Sequence, residues 1–291
     1  MARAYPGDAP GLLDEACATL RRTRRRLRER RCRALSRARP IDAGRTLVTM
    51  LETLPILIDP ADAGLSRTLA ADGYWEMWLT EALESVLRPG MTAIDIGANL
   101  GYFSLLMADR VGLAGHVHAF EPNPAMAALI AQSAARAGMD KRITLHGDPL
   151  WDVEGEASLL KVPDGEPKNA HLVTHVGDDV PGVRLTTRRL DGYAELLDAD
   201  VIKIDVEGAE ERIWRGMAGL FARKRALTVF LEFSPVRYEA PMAFLDEIMA
   251  QGFALGELSV SHGIRRVTPE QILAGAPDED RMLALTRGLQ A

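Results

Sequence analysis

Residues 92–108 read TAIDIGANLGYFSLLMA. A short apolar run leads into Asp95-Ile96-Gly97-Ala98-Asn99-Leu100-Gly101, and apolar residues at helical spacing follow. A buried strand that opens directly into a helix predicts the first βα unit of a layered α/β domain. The alternation continues downstream. HVHAF reads as a strand and PAMAALIAQSAARAG as a helix, then RITLH, DVIKIDV and ALTVFLEF as strands. ERIWRGMAGLFARK and AFLDEIMAQG read as helices, and two last strands fall near FALGEL and MLALT. Apolar strands in βα alternation predict a doubly wound, mostly parallel sheet.

In such a sheet, ligands bind beyond the carboxyl ends of the strands, where the strand order reverses. Asp95 to Gly101 occupies that position after the first strand. Glycines there let backbone approach a ligand. A dinucleotide site would require G-x-G-x-x-G with pyrophosphate at the helix N-terminus. The pattern here is D-x-G-x-N-x-G, which argues against a nicotinamide-linked oxidoreductase. An acid at this position would repel phosphate and suit an ammonium or sulfonium on a phosphate-free ligand. The second strand ends HAFEPNP, placing Glu121 where an acid takes both hydroxyls of a ribose. The third ends His146-Gly147-Asp148, where Asp148 can accept from an adenine amino group. An adenosine with a cationic amino-acid tail and no phosphate describes S-adenosylmethionine.

DIGANLGYFSLLMA, FEPNP, IKIDVEGAE and LEFSP together resemble the FkbM family of S-adenosylmethionine-dependent methyltransferases, from about residue 59 to 234. The resemblance implies a seven-stranded sheet of the Rossmann-like methyltransferase type and O-methylation of hydroxyls on sugars, polyketides or other natural products. It also implies that Asp95, Gly97, Asn99, Gly101 and Glu121 line the cofactor. Asn123 of FEPNP and Asp148 complete the candidate cofactor set.

At the reacting end, DVIKIDVEG puts Lys203, Asp205 and Glu207 on one strand face, opposite Ile202, Ile204 and Val206. Glu232 ends the next strand beside them. Carboxylates so close do not all ionise cheaply: one has a raised pKa and acts as a base, or a cation sits among them. Asp205, Glu207 and Glu232 are therefore the candidate catalytic residues, with Asp205 or Glu207 as proton acceptor or as orienter of the hydroxyl. A divalent metal held by the three acids is an alternative. The bland alternative pairs Lys203 with Asp205 and lets Glu207 begin a helix cap. Trp75 and Glu76, in Tyr74-Trp75-Glu76, are candidates to fold over the ligand; otherwise they pack a helix on the sheet. His171 and His175 in NAHLVTH lack the Glu of a zinc H-E-x-x-H motif and read as surface residues.

Charge divides the 291 residues unevenly. The net charge is −6, yet residues 1–39 hold 12 Arg against 4 acids. Residues 11–39 read as one helix that stops before Pro40, with Leu13, Leu20, Leu27 and Ala34 seven apart. The expectations are an Arg-rich arm over 1–40 and a small hairpin with helical segments over 41–90. The methyltransferase-type domain then spans 91–291, with an insertion at 151–189. A homodimer through the arm is one expectation, and a scaffold subunit docking through it is the rival to an enzyme. Cys17 and Cys32 have no metal-ligand spacing, no apolar run approaches the ~18 residues of a membrane span, and the N-terminus lacks a signal-peptide core. A cytoplasmic protein is expected. Base-methylating enzymes carry an Asn/Asp-Pro-Pro-aromatic run after the fourth strand. Its absence points away from nucleic acid and toward a small-molecule or carbohydrate acceptor.

Overall fold

The computed structural model describes residues 12–155, 157–161, 171–174, 183–223, 225–260 and 263–288. The chain opens with α1 (Leu12–Leu35), then β1 (Ala38–Asp42), β2 (Arg45–Met50) and β3 (Leu54–Ile58), then α2 (Leu65–Asp72) and α3 (Met77–Val86). Next come β4 (Thr92–Ile96), α4 (Tyr102–Val111), β5 (His116–Phe120), α5 (Pro124–Arg136) and β6 (Ile143–His146). The insertion supplies β7 (Ala157–Lys161), β8 (His171–Thr174) and β9 (Val183–Thr186). The remainder is β10 (Val201–Ile204), α6 (Glu210–Arg215), α7 (Ala218–Ala222), β11 (Leu227–Phe233), α8 (Pro241–Ala250), β12 (Ala254–Ser259), β13 (Gly263–Arg266), α9 (Pro269–Leu273) and β14 (Arg281–Arg287).

The main sheet has the order β13-β12-β14-β11-β10-β4-β5-β6. Strands β11 to β6 in that list run parallel, and β14 enters antiparallel between β11 and β12. The methyltransferase-type sheet is thus present with one strand more than expected. The extra edge strand is β13, whose GIRR has too little apolar alternation to announce itself. Central β4 and β10 are buried on both faces because helices cover both, and their two charged residues, Asp95 and Lys203, face each other. From β4 the chain steps outward to β5 and β6, then returns to β10 and steps the other way. The switch point, and with it the ligand crevice, therefore lies at the ends of β4 and β10.

Three local differences from expectation have physical causes. Helix α1 ends at Leu35, and Ala38–Asp42 forms an edge strand that tolerates Pro40, with a register irregularity at that residue. The small sheet thus has three strands rather than two. The helical stretch after Asp59 is broken at Gly73 (φ 70°), where the left-handed cap ends α2 and throws Tyr74-Trp75-Glu76 out as a separate turn before α3. Residues 1–11, all of His175, and the side chains of Leu13, Cys17 and His171 lie outside the described residues. Among the described residues no helix is long and apolar enough to cross a membrane.

Candidate active site

A cavity of about 470 Å³ opens at the switch point. Gly97, Asn99, Glu121, Asp148, Asp205, Glu207 and Glu232 line it, joined from the other side by Trp75 and Glu76. Asp95, Gly101 and Asn123 do not line it and support it from behind. Asp95 is fully buried, and its carboxylate takes the Ser104 hydroxyl at 2.6 Å and the Lys203 ammonium at 3.3 Å. Gly101 opens α4 at φ 90°, and a Cβ there would press on Ile130. Asn123 caps α5 by accepting from the Ala125 N–H at 3.0 Å. The negative charge assigned to Asp95 is therefore consumed inside the protein, because its strand neighbour is a lysine.

Lys203 lies opposite Asp95 in the β10–β4 register and is buried. Its ammonium also meets Asp205 at 3.4 Å and sits 5.2 Å from the Phe103 ring centre. Burial alone would depress its pKa, but Asp205 and Asp95 more than offset that and raise it. The predicted Lys203–Asp205 pair thus exists, and one cation ties the ends of two strands together.

The ribose-side acid is held by backbone. Glu121 accepts the Asn99 N–H at 2.7 Å and the Asn123 N–H at 2.8 Å, one on each carboxylate oxygen. Burial still pushes its pKa up, to about 7. Asn99 is left-handed (φ 53°), and its side-chain oxygen is buried with no hydrogen-bond partner. Gly97 (φ 77°) comes so close to the next strand that an added Cβ would stand 1.9 Å from the Asp205 carbonyl oxygen. Gly97→Ala is accordingly expected to lose about 3 kcal/mol of stability, by overpacking at a left-handed position. Denaturant melting checks this, and an unchanged midpoint would mean that the two strand ends are not in contact. At the far end Asp148 accepts the Tyr193 hydroxyl at 2.9 Å, and Phe120 stacks on His146 at 4.3 Å.

The acceptor end departs most from the strand-face reading. Strand β10 stops at Ile204, so alternation does not carry to Glu207. A left-handed turn places it instead, with φ 58° at Glu207 and 103° at Gly208. The buried carboxylate of Glu210 pins that turn, accepting the Gly208 N–H at 3.1 Å, the Val206 N–H at 3.3 Å and the Tyr238 hydroxyl at 3.2 Å. Arg237 then bridges two of the candidate acids, 2.6 Å from Glu232 and 2.9 Å from Glu207, with Asp280 at 3.4 Å. Burial and the charge of Asp205 push Glu232 up to about 8, against the pull of Arg237. Burial likewise raises Glu207. Among the described residues no three His, Cys, Asp or Glu side chains are placed to hold a metal ion. The cation between Glu207 and Glu232 is a guanidinium.

Arg237, Glu210 and Asp280 escaped the sequence reading. Glu210 had a signal, as the last acid of DVEGAE at the start of a helix; Arg237 and Asp280 sit in turns without periodicity. Backbone strain converges on the same place. Of the five non-glycine residues with positive φ among the described residues, Glu76, Asn99 and Glu207 all line this cavity. Such strain persists where surrounding structure enforces it, and it concentrates at functional sites.

Residues 95–255 match the family described as the methyltransferase FkbM domain. The chain belongs to this family. The matched segment of the FkbM domain runs from Asp95 to the start of β12 and so contains most of the cavity wall; Trp75, Glu76 and Asp280 lie outside it. Two curated relatives are protein-L-isoaspartate O-methyltransferases. That of Hyperthermus butylicus is 29% identical over 130 residues, 42% of this chain and 49% of that protein. That of Ignicoccus hospitalis is 26% identical over 133 residues, 46% and 57%. The chain spans about half the length of these relatives. Similar solved structures include a SAM-dependent O-methyltransferase of Thermotoga maritima, with 14% identity, coverage of 86% and 96%, and TM-score 0.43. Another is an O-methyltransferase of Streptomyces achromogenes involved in tomaymycin synthesis, with 13% identity, coverage of 80% and 92%, and TM-score 0.44.

Proposed function

We propose that this protein methylates a hydroxyl oxygen of a small, sugar-like or natural-product acceptor, using S-adenosylmethionine, in the cytoplasm. The observation that carries the reading is the division of one cavity into two chemically distinct ends. At one end stand Glu121 and the unpartnered Asn99 oxygen, with Asp148 and Phe120 beyond them. These groups accept hydroxyl and amino hydrogens and offer an aromatic face, and none of them is a phosphate-binding cation. That donor set fits an adenosyl ligand without phosphate, held by Glu121 through its hydroxyls and by Asp148 through its base. At the other end stand Asp205, Glu207 and Glu232.

When bound, S-adenosylmethionine supplies a methyl carbon activated by its sulfonium. The protein's share is positioning and proton removal. Glu232 accepts the acceptor's hydroxyl proton on its carboxylate, and Arg237 keeps that carboxylate aimed by holding it to Glu207. Asp205, anchored by Lys203, orients the hydroxyl. Trp75 and Glu76 cover the cavity from the α2–α3 turn and exclude water. Buried, unpaired Cys32 is the thiol state a reducing cytoplasm maintains.

Calorimetric titration with S-adenosylmethionine, S-adenosylhomocysteine and NAD tests the reading. Micromolar binding of the first two and none of NAD is expected. The hydroxyl-accepting form of Glu121 is the carboxylate, and burial pushes its pKa up to about 7. Affinity should therefore weaken on acidification, by about tenfold from pH 8 to pH 6. Glu121→Gln should bind weakly at both pH values and remove the dependence. Failure of the wild type to bind either adenosyl ligand overturns the proposal.

A further inference from the structure

The Arg-rich helix packs one face on the fold, and of its other face Arg31, one turn after Leu27, pairs with Glu52 at 2.7 Å. On the inner face, Arg25 pairs with Glu81 at 2.7 Å, Arg28 with Glu84, and Cys32 is buried. These contacts settle α1 on α3 and against the α2–α3 region. The opposite face is solvent-exposed and carries Leu20 and Leu27, 52% and 55% exposed, one heptad apart. Exposed Arg24 lies on one side of this stripe and exposed Arg26 and Arg30 on the other. No described carboxylate forms an ion pair with these three arginines. A basic helix with an outward apolar stripe is the form that lies in a membrane interface, leucines in the acyl boundary and guanidiniums at the headgroups.

A second element points the same way. The Arg21 and Arg24 edge of α1 borders a hollow of about 500 Å³, floored by Trp78, Leu258 and Ile264. Val260, just past β12, stands beside the helix: the Arg25 guanidinium bonds its carbonyl, and the Val260 and Ile264 side chains are 62% and 43% exposed. Exposed aliphatic side chains from two separate elements thus flank one group of arginines. Pairing this face with the same face of a second copy would oppose arginine to arginine, whereas an anionic surface complements it.

We propose that the exposed face of α1, with Val260 and Ile264 beside it, docks the protein on an anionic lipid bilayer. This goes beyond the methyl-transfer reading and does not depend on it. Docking would place the methyltransferase-type domain at a membrane surface.

The test is co-sedimentation of the full chain with vesicles of phosphatidylcholine alone and of an equal mixture with phosphatidylglycerol. Pelleting with the mixed vesicles only, weakened by added salt, is expected. The pair Leu20→Glu and Leu27→Glu, and separately the triple Arg24→Gln, Arg26→Gln and Arg30→Gln, should each reduce partitioning by about tenfold or more. All five side chains are exposed, so an unchanged circular-dichroism melt accompanies the expected result. Absence of pelleting with the mixed vesicles, or pelleting unaffected by both variants, overturns the proposal. So does light scattering that finds a dimer in the wild type and a monomer in the leucine variant, because the face would then be a contact between copies.

Discussion

Glu232→Gln is expected to slow methyl transfer by about a hundredfold to ten-thousandfold, the range for removing a positioned proton acceptor. Affinity for S-adenosylhomocysteine should stay the same, because Glu232 stands at the opposite end of the cavity from Glu121. The substitution keeps shape and the capacity to accept a hydrogen bond from Arg237, and it removes only the basic oxygen. The pH profile separates this role from a structural one. With its pKa pushed up to about 8, Glu232 is mostly protonated at neutral pH. The wild-type rate should therefore climb as pH rises toward that value and level off above it, and Glu232→Gln should lose that limb. Initial rates of S-adenosylhomocysteine release, on a hydroxylated acceptor found by screening sugars and natural products, give both readings. A variant with near wild-type rate and an unchanged profile would move the proton acceptor to Glu207 or Asp205.

Lys203→Met is expected to cost about 3–5 kcal/mol of stability, the usual penalty for removing one partner of a buried ion pair. Methionine fills similar space, so packing contributes little. The loss comes from Asp95, left fully buried with its charge unpaired and only the Ser104 hydroxyl to hydrogen-bond it, and from Asp205, freed to turn away from the cavity. For a chain of this size the melting temperature should fall by roughly 10 °C. Adding Asp95→Asn to Lys203→Met removes the stranded charge and should recover part of the loss. Calorimetric melting of the single and double variants decides the matter. A single variant as stable as the wild type would mean that Lys203 does not neutralise Asp95, and the β4–β10 junction would need another explanation.

The central sheet was legible because its strands are short, mostly apolar runs and its helices carry apolar residues at helical spacing. β4, β5, β10 and β11, with α4, α5 and α8, follow from that periodicity alone. The elements that escaped are short or polar. β1 contains a proline, β13 is GIRR, and α9 has five residues, although its Thr268–Gln271 capping box was a readable start signal. The break between α2 and α3 escaped as well, since Gly73 within an otherwise helical pattern is compatible with either one helix or two.

For the site, the sequence by itself determined which acids stand at the carboxyl ends of the strands. Strand length and βα order deliver Glu121, Asp148, Asp205 and Glu232 to the same edge of the sheet whatever the loops do. Only the tertiary structure decided which charges remain available there. Asp95 and Asp205 look alike in sequence as acids at the ends of apolar strands, yet register puts Lys203 against Asp95 inside the protein and leaves Asp205 at the cavity. Glu207 owes its position to a left-handed turn pinned by Glu210. The cation between Glu207 and Glu232 comes from Arg237 in a turn beyond β11, where no repeating pattern betrays it. Charge neutralisation acts over a few ångströms between segments distant in the chain, so it is settled by packing, while strand ends are settled by local apolar periodicity.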